Sequence, residues 1–296
     1  LPSITTEENV DKVSSLGFGL GYIGGGLLFA VNVMMFLNPE LFGIADKAEA
    51  IKISFVSVGV WWALFSIPLF LNVKEPQIHA SVSLRKAVIQ GWTQLRETLN
   101  HIHHLKVVGL FLLAYWFYID GVDTIVKMAV DYGMGIGFNS ESLITALLIV
   151  QFVAFPSALV YGWLAGKIGA KTAILTSIAA YALITIGGAL MQEEWHFYVL
   201  AISIGLFQGG IQALSRSLYT RLIPKRKAAQ FFGFYNMLGK FAAVLGPVLM
   251  GGITVLTGNP RLGILGVLIL FIIGFVLLTK VDVEEGKRMA DAYPVE

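Results

Sequence analysis

Eight separate stretches of twenty or so mostly apolar residues lie along this chain, and nothing else in it limits the fold so tightly. A helix needs about 20 such residues to cross a hydrocarbon core about 30 Å thick. The stretches cover roughly residues 16–37, 53–73, 107–128, 142–165, 172–191, 197–218, 228–256 and 262–280. Lipid offers no partner to a backbone N–H or C=O, so each stretch must close its own hydrogen bonds as a helix. The expected fold class is an all-α polytopic membrane protein with eight transmembrane helices. Composition agrees: only 14% of the 296 residues are charged, against roughly 25% in a soluble domain. A formal net charge of +2 excludes a nucleic-acid partner chosen by bulk charge, and the absence of cysteine excludes disulfides and thiolate metal sites.

Lysine and arginine set the orientation. Lys74, Arg85, Lys86, Arg96 and Lys106 follow the second span, Lys167 and Lys171 the fourth, and Arg221, Lys225, Arg226 and Lys227 the sixth. Lys280, Lys287 and Arg288 lie in the tail. The alternate connections carry Glu40, Asp46, Glu49, Asp131, Glu141, Glu193 and Glu194. Both ends of the chain are therefore expected in the cytoplasm, with a bacterial-type inner membrane or its equivalent as the setting. The opening "LPSITTEENVDK" lacks the basic and apolar regions of a signal peptide and reads as the middle of a longer protein.

Residues 74–106 divide the spans two and six. Val82, Leu84, Ala87, Val88, Trp92, Leu95, Leu99 and Ile102 recur there at helical spacing between charges, which predicts an amphipathic linker helix along the membrane surface. The expected domains are 1–73, the 74–106 linker, 107–281 and a tail at 282–296. His101, His103 and His104 have no nearby carboxylate, and no metal site or cofactor is expected.

The informative residues are those that are expensive to place in lipid. Lys240 lies some twelve residues beyond Ala228, about 18 Å along a helix and so near mid-membrane. Asp120 reaches about the same depth from Val107, and Trp116, Asp120, Asp123 and Lys127 share one face. A Lys240–Asp120 pair across a cavity is the expected way both charges are tolerated. Gln208, Gln212 and Ser215 form a stripe on the sixth span, and Asn236 stands one turn before Lys240. The candidate substrate-binding or coupling set is Asp120, Asp123, Gln208, Gln212, Asn236 and Lys240. Asn32 and Gln151 are weaker candidates. Gly17, Gly21 and Gly25 predict close helix packing, and Gly246-Pro247 predicts a broken hydrogen-bond ladder just past Lys240.

Six spans after a basic central segment, with two before it, resemble a major facilitator superfamily transporter without its first four helices. "GWLAGKIGAKTAIL" resembles that superfamily's short-loop signature through Gly162, Lys167, Gly169 and Lys171, with Gly166 where an acid is usual. "YIDGVDTI", "QGGIQALSRSLYTRLIPKRKAAQFFGFYN", "GKFAAVLGP" and "LGFGLGYIGGGLL" resemble the vacuole-effluxer-like, autophagy-related group of permeases across essentially the whole chain.

The resemblance implies that spans three to eight form a six-helix C-terminal half and that the first two complete an N-terminal half. It further implies alternating access around a mid-membrane site lined by Asp120, Gln208, Gln212, Asn236 and Lys240. The implied partners are the bilayer, the missing N-terminal helices and a small-molecule substrate, with amino acids or related metabolites the implied class. No coupling ion is named by the sequence. The rival reading is a non-transporting scaffold or receptor whose buried polar groups specify helix packing. An enzyme is disfavoured because HExxH and GxSxG motifs are absent and no histidine falls within a span.

Overall fold

The structure, a computed structural model, describes residues 5–72, 91–93 and 105–293, and every regular element among them is helical. The predicted amphipathic linker and its histidines fall almost wholly outside the described residues. The long helices are α1 (Val10–Leu37), α2 (Lys47–Asn72), α3 (Lys106–Lys127), α5 (Ser140–Ile168), α6 (Ala170–Ala189) and α7 (Glu194–Leu222), with a short α4 (Ala129–Gly135) after α3. The seventh span is split into α8 (Ala228–Phe241) and α9 (Leu245–Thr257), and the eighth into α10 (Pro260–Gly266) and α11 (Leu268–Thr279). Helix α12 (Val283–Asp291) ends the described chain. Among the described residues eight candidate spans result, each within a few residues of its predicted stretch except the first two, which begin about one and a half turns earlier.

The chain separates into two compact units, one of residues 1–23 with 93–296 and one of residues 24–92. Helix α1 runs unbroken through the division. The smaller unit has its own contacts: Met35, Ile44 and Ala50 pack together, and Ser57 Oγ donates to Asn32 Oδ1 at 3.0 Å. That bond gives Asn32 a packing partner.

In the larger unit α7 packs on α5 and α6, while α3 packs on α11. Glycines make the first contact possible. A Cβ on Gly210 would overlap the Tyr161 ring, and one on Gly209 would press on Ala154 and Ala158. Such close approach is how membrane helices gain van der Waals contact when lipid supplies no hydrophobic drive. The row Gly17, Gly21 and Gly25 does not work this way. Among the described residues none of the three has a neighbour within 4 Å of where a Cβ would stand, and Gly19 packs on Phe155 instead.

The short α5–α6 connection also departs from the acid-based latch of the signature it resembles. Lys171 donates to the carbonyls of Thr279 and Val281 at 2.9 and 2.8 Å, closing the end of α11, and Lys167 lies over the Trp163 ring. With Gly166 in place of the acid, the lysine's partner is the negative end of a helix dipole.

Candidate functional site

The seventh span breaks for a covalent reason. Pro247 has no N–H to give the carbonyl four residues back, at Ala243, and its ring crowds that position. Residues 242–244 accordingly form turns rather than α-helix. A break within a span leaves backbone donors that water would satisfy elsewhere, each costing several kcal/mol if orphaned in lipid. Asp120 of α3 meets two of them. Its Oδ2 accepts from Leu245 N–H and its Oδ1 from Gly246 N–H, both at 3.0 Å, with Thr124 Oγ1 donating to Oδ1 at 3.4 Å. Asp120 is fully buried. A side chain at residue 246 would collide with Thr124 Oγ1 and Asp120 Oδ1, so only glycine admits the carboxylate there.

Lys240 stands on the other side of the break, in the last turn of α8. The expected Lys240–Asp120 pair does not form: Lys240 is exposed and has no bonded partner among the described residues, while Asp120 is bonded to backbone. Sequence depth placed the two at one level, and the break explains both. The carboxylate faces the positive start of one half-helix and the ammonium lies in the negative final turn of the other.

A ring stack holds α8 by one face. Tyr235 lies 4.3 Å from Tyr115 and 4.8 Å from Tyr219, centroid to centroid. Asn236 and Lys240, one turn apart, are left on the exposed side. Arg216 of α7 is exposed too, with its guanidinium 5.7 Å from the Phe232 ring.

The remaining candidates divide. Asp123 pairs with Lys127 at 2.7 Å along its own helix. Gln212 accepts from the Tyr22 hydroxyl at 2.8 Å, and Tyr22 also interacts with the Gln208 amide. Gln208 is buried, and its Oε1 has no hydrogen-bond partner. Tyr22 thus brings Gln208 and Gln212 together. Ser215 is a packing residue, touching Tyr118 Oη at 2.7 Å and the Ile211 carbonyl at 2.6 Å.

Two features escaped the sequence reading. Tyr22 could have been found as the one hydroxyl-bearing aromatic in the glycine-rich first span. Asp11 was passed over as part of a polar terminus. It is buried and accepts from Arg221 at 2.7 and 3.0 Å and from Ser217 at 2.5 Å, clasping the start of α1 to the end of α7. A cavity of about 120 Å³ opens beside this clasp, lined by Thr5, Glu7, Arg221, Lys225 and Lys287. It lies at the helix ends, away from the mid-span residues.

Membrane-length helices, a jointed span and polar groups held at its depth define a polytopic integral membrane protein. The chain belongs to the vacuole effluxer Atg22-like family, whose model matches residues 3–291. It is 39% identical over 292 residues to the uncharacterized MFS-type transporter YxiO of Bacillus subtilis, covering 96% of this chain and 66% of that protein. It is 27% identical over 309 residues to autophagy-related protein 22 of Yarrowia lipolytica, covering 95% of this chain and 52% of that one. A Cryptococcus neoformans protein of the same name is 27% identical over 310 residues, with coverages of 97% and 52%. The chain thus spans about half the length of these fungal relatives and 66% of the bacterial one. The resemblance read from the four sequence phrases is borne out. The family is described as an effluxer family and the bacterial relative as an MFS-type transporter, both of them transport descriptions.

Proposed function

We propose that this chain works in a secondary active transporter that moves a small polar metabolite, amino acids being the first class to test, by alternating access. Helices α3 to α11 form its six-helix C-terminal half, and both ends of the chain face the cytoplasm. One observation carries the reading: Lys240 and Asn236 are exposed, at mid-span, beside a joint in the helix that bears them. A lysine at that depth costs about 3 kcal/mol on insertion scales unless it meets water or a partner. A water-filled path with a passing solute supplies both. Gln208, with a free acceptor oxygen, and Gln212 add hydrogen-bonding capacity on a neighbouring span. Asp123 would join them if a solute drew it away from Lys127.

The test is counterflow of an amino-acid panel by the full-length protein reconstituted in liposomes. Saturable uptake that disappears in Lys240→Ala, with folding retained, supports the assignment. Normal uptake by that variant removes Lys240 from the site, and a folded protein that moves no member of a broad metabolite panel favours the scaffold reading.

A further inference from the structure

We propose that Asp120 is a proton-binding site that works the joint of the seventh span: ionised, it pins the start of α9, and protonated, it lets go. The proposal rests on the transport reading and supplies its coupling ion.

The donors at the joint match a carboxylate in number. Val248 N–H already bonds the Val244 carbonyl at 3.2 Å, and Pro247 has no N–H. Leu245 and Gly246 are therefore the donors left at the start of α9, and each takes one oxygen of Asp120. A carboxylate accepts at both oxygens, whereas a carboxylic acid has turned one of them into a donor. A proton added from water in the oxygen position that faces the joint therefore sets O–H against N–H and ends one of the two bonds. The freed N–H cannot stay unpaired in the membrane interior. The turn at 242–244 is the adjoining segment not already held as α-helix, so it must move.

Among the described residues no basic side chain bonds this carboxylate. On its own helix the charged group acting on it is Asp123, which is bonded to Lys127. Helices α9 and α11 carry no charged side chain. Helix α8 offers Tyr235 and Lys240, α7 offers Glu194, His196, Tyr198, Arg216, Tyr219 and Arg221, α6 offers Lys171 and the buried Tyr181, and α4 offers Asp131 and Tyr132. Helix α12 offers Glu284, Glu285, Lys287, Arg288 and Asp291. None of these bonds Asp120 among the described residues. Asp123, one turn along and partly exposed, with the Thr124 hydroxyl next to Oδ1, marks the side from which a proton enters.

The chain has no cysteine, and Val248 on α9 is 65% exposed. The experiment places an environment-sensitive thiol fluorophore on Val248→Cys, as the sole cysteine of the full-length protein in detergent, and titrates pH with no solute present. A reversible single-proton transition is expected. It vanishes in Asp120→Asn and persists with a displaced midpoint in Asp120→Glu. A flat parent signal, or an unaltered transition in Asp120→Asn, overturns the proposal. If the asparagine variant does not fold, the glutamate variant decides, and an unmoved midpoint overturns it. Because no solute is needed, the outcome is separate from the transport reading. A titrating joint in a protein that carries no solute would sink transport alone. Solute uptake with undiminished proton flux in Asp120→Asn would sink the proton site alone.

Discussion

Gly246 and Asp120 touch so closely that each can be tested through the other. In Gly246→Ala the new methyl displaces the carboxylate and leaves both half-helix donors short of an acceptor. Two charge-assisted bonds at stake predict a loss of about 2–4 kcal/mol, measured by unfolding of the purified protein. Gly252→Ala, on the same helix with open space around it, is the matched control. The Asp11–Arg221 clasp gives a second residue-scale prediction. Arg221→Gln leaves a buried carboxylate unpaired and costs about 3–5 kcal/mol, while adding Asp11→Asn restores part of that loss. A double-mutant cycle on stability reads the difference. The sequence showed which residues were costly in lipid but not what each would bind. Asp120 and Lys240 share a depth, and from spacing alone an ion pair was the natural inference. Asp120 binds the start of a half-helix, which exists only once the chain is folded, and Lys240 bonds nothing among the described residues.

Helices were the most legible level. Apolar runs bounded by charge and turn residues located all eight spans, and the Gly246-Pro247 pair correctly marked a break. Its exact place follows from the missing donor, which opens the ladder at the residue four back rather than at the proline. Among the described residues the glycine row of the first span meets no neighbour, since small residues permit close packing without requiring it. An element-scale prediction follows from the break. Pro247→Ala regains an N–H that can reach the Ala243 carbonyl, so α8 and α9 should join. Hydrogen exchange of the amides from Ala243 to Val248 should slow, and solute transport should fall as the joint stiffens.

For the whole molecule, the alternating basic and acidic connections remain the guide to orientation. Leu190→Cys and Arg226→Cys lie on connections of opposite character and are both exposed. A membrane-impermeant maleimide added outside intact cells should label the first and spare the second. The reverse result would invert the topology. The polar meeting of Tyr22 with Gln212 and Gln208 was hidden from sequence because it joins positions nearly two hundred residues apart, with no periodic pattern to link them. Family membership was legible because it rests on whole phrases rather than on any single contact.

Pro247, Gly246 and Asp120 amount to one structural unit. The imino acid limits the hydrogen-bond donors to two, the missing side chain clears the approach, and the acid has two acceptors for them. Lineages that change the proline should gain a third donor to accommodate, and those that lose the acid should restore the unbroken helix. Across relatives the three positions should change together or not at all.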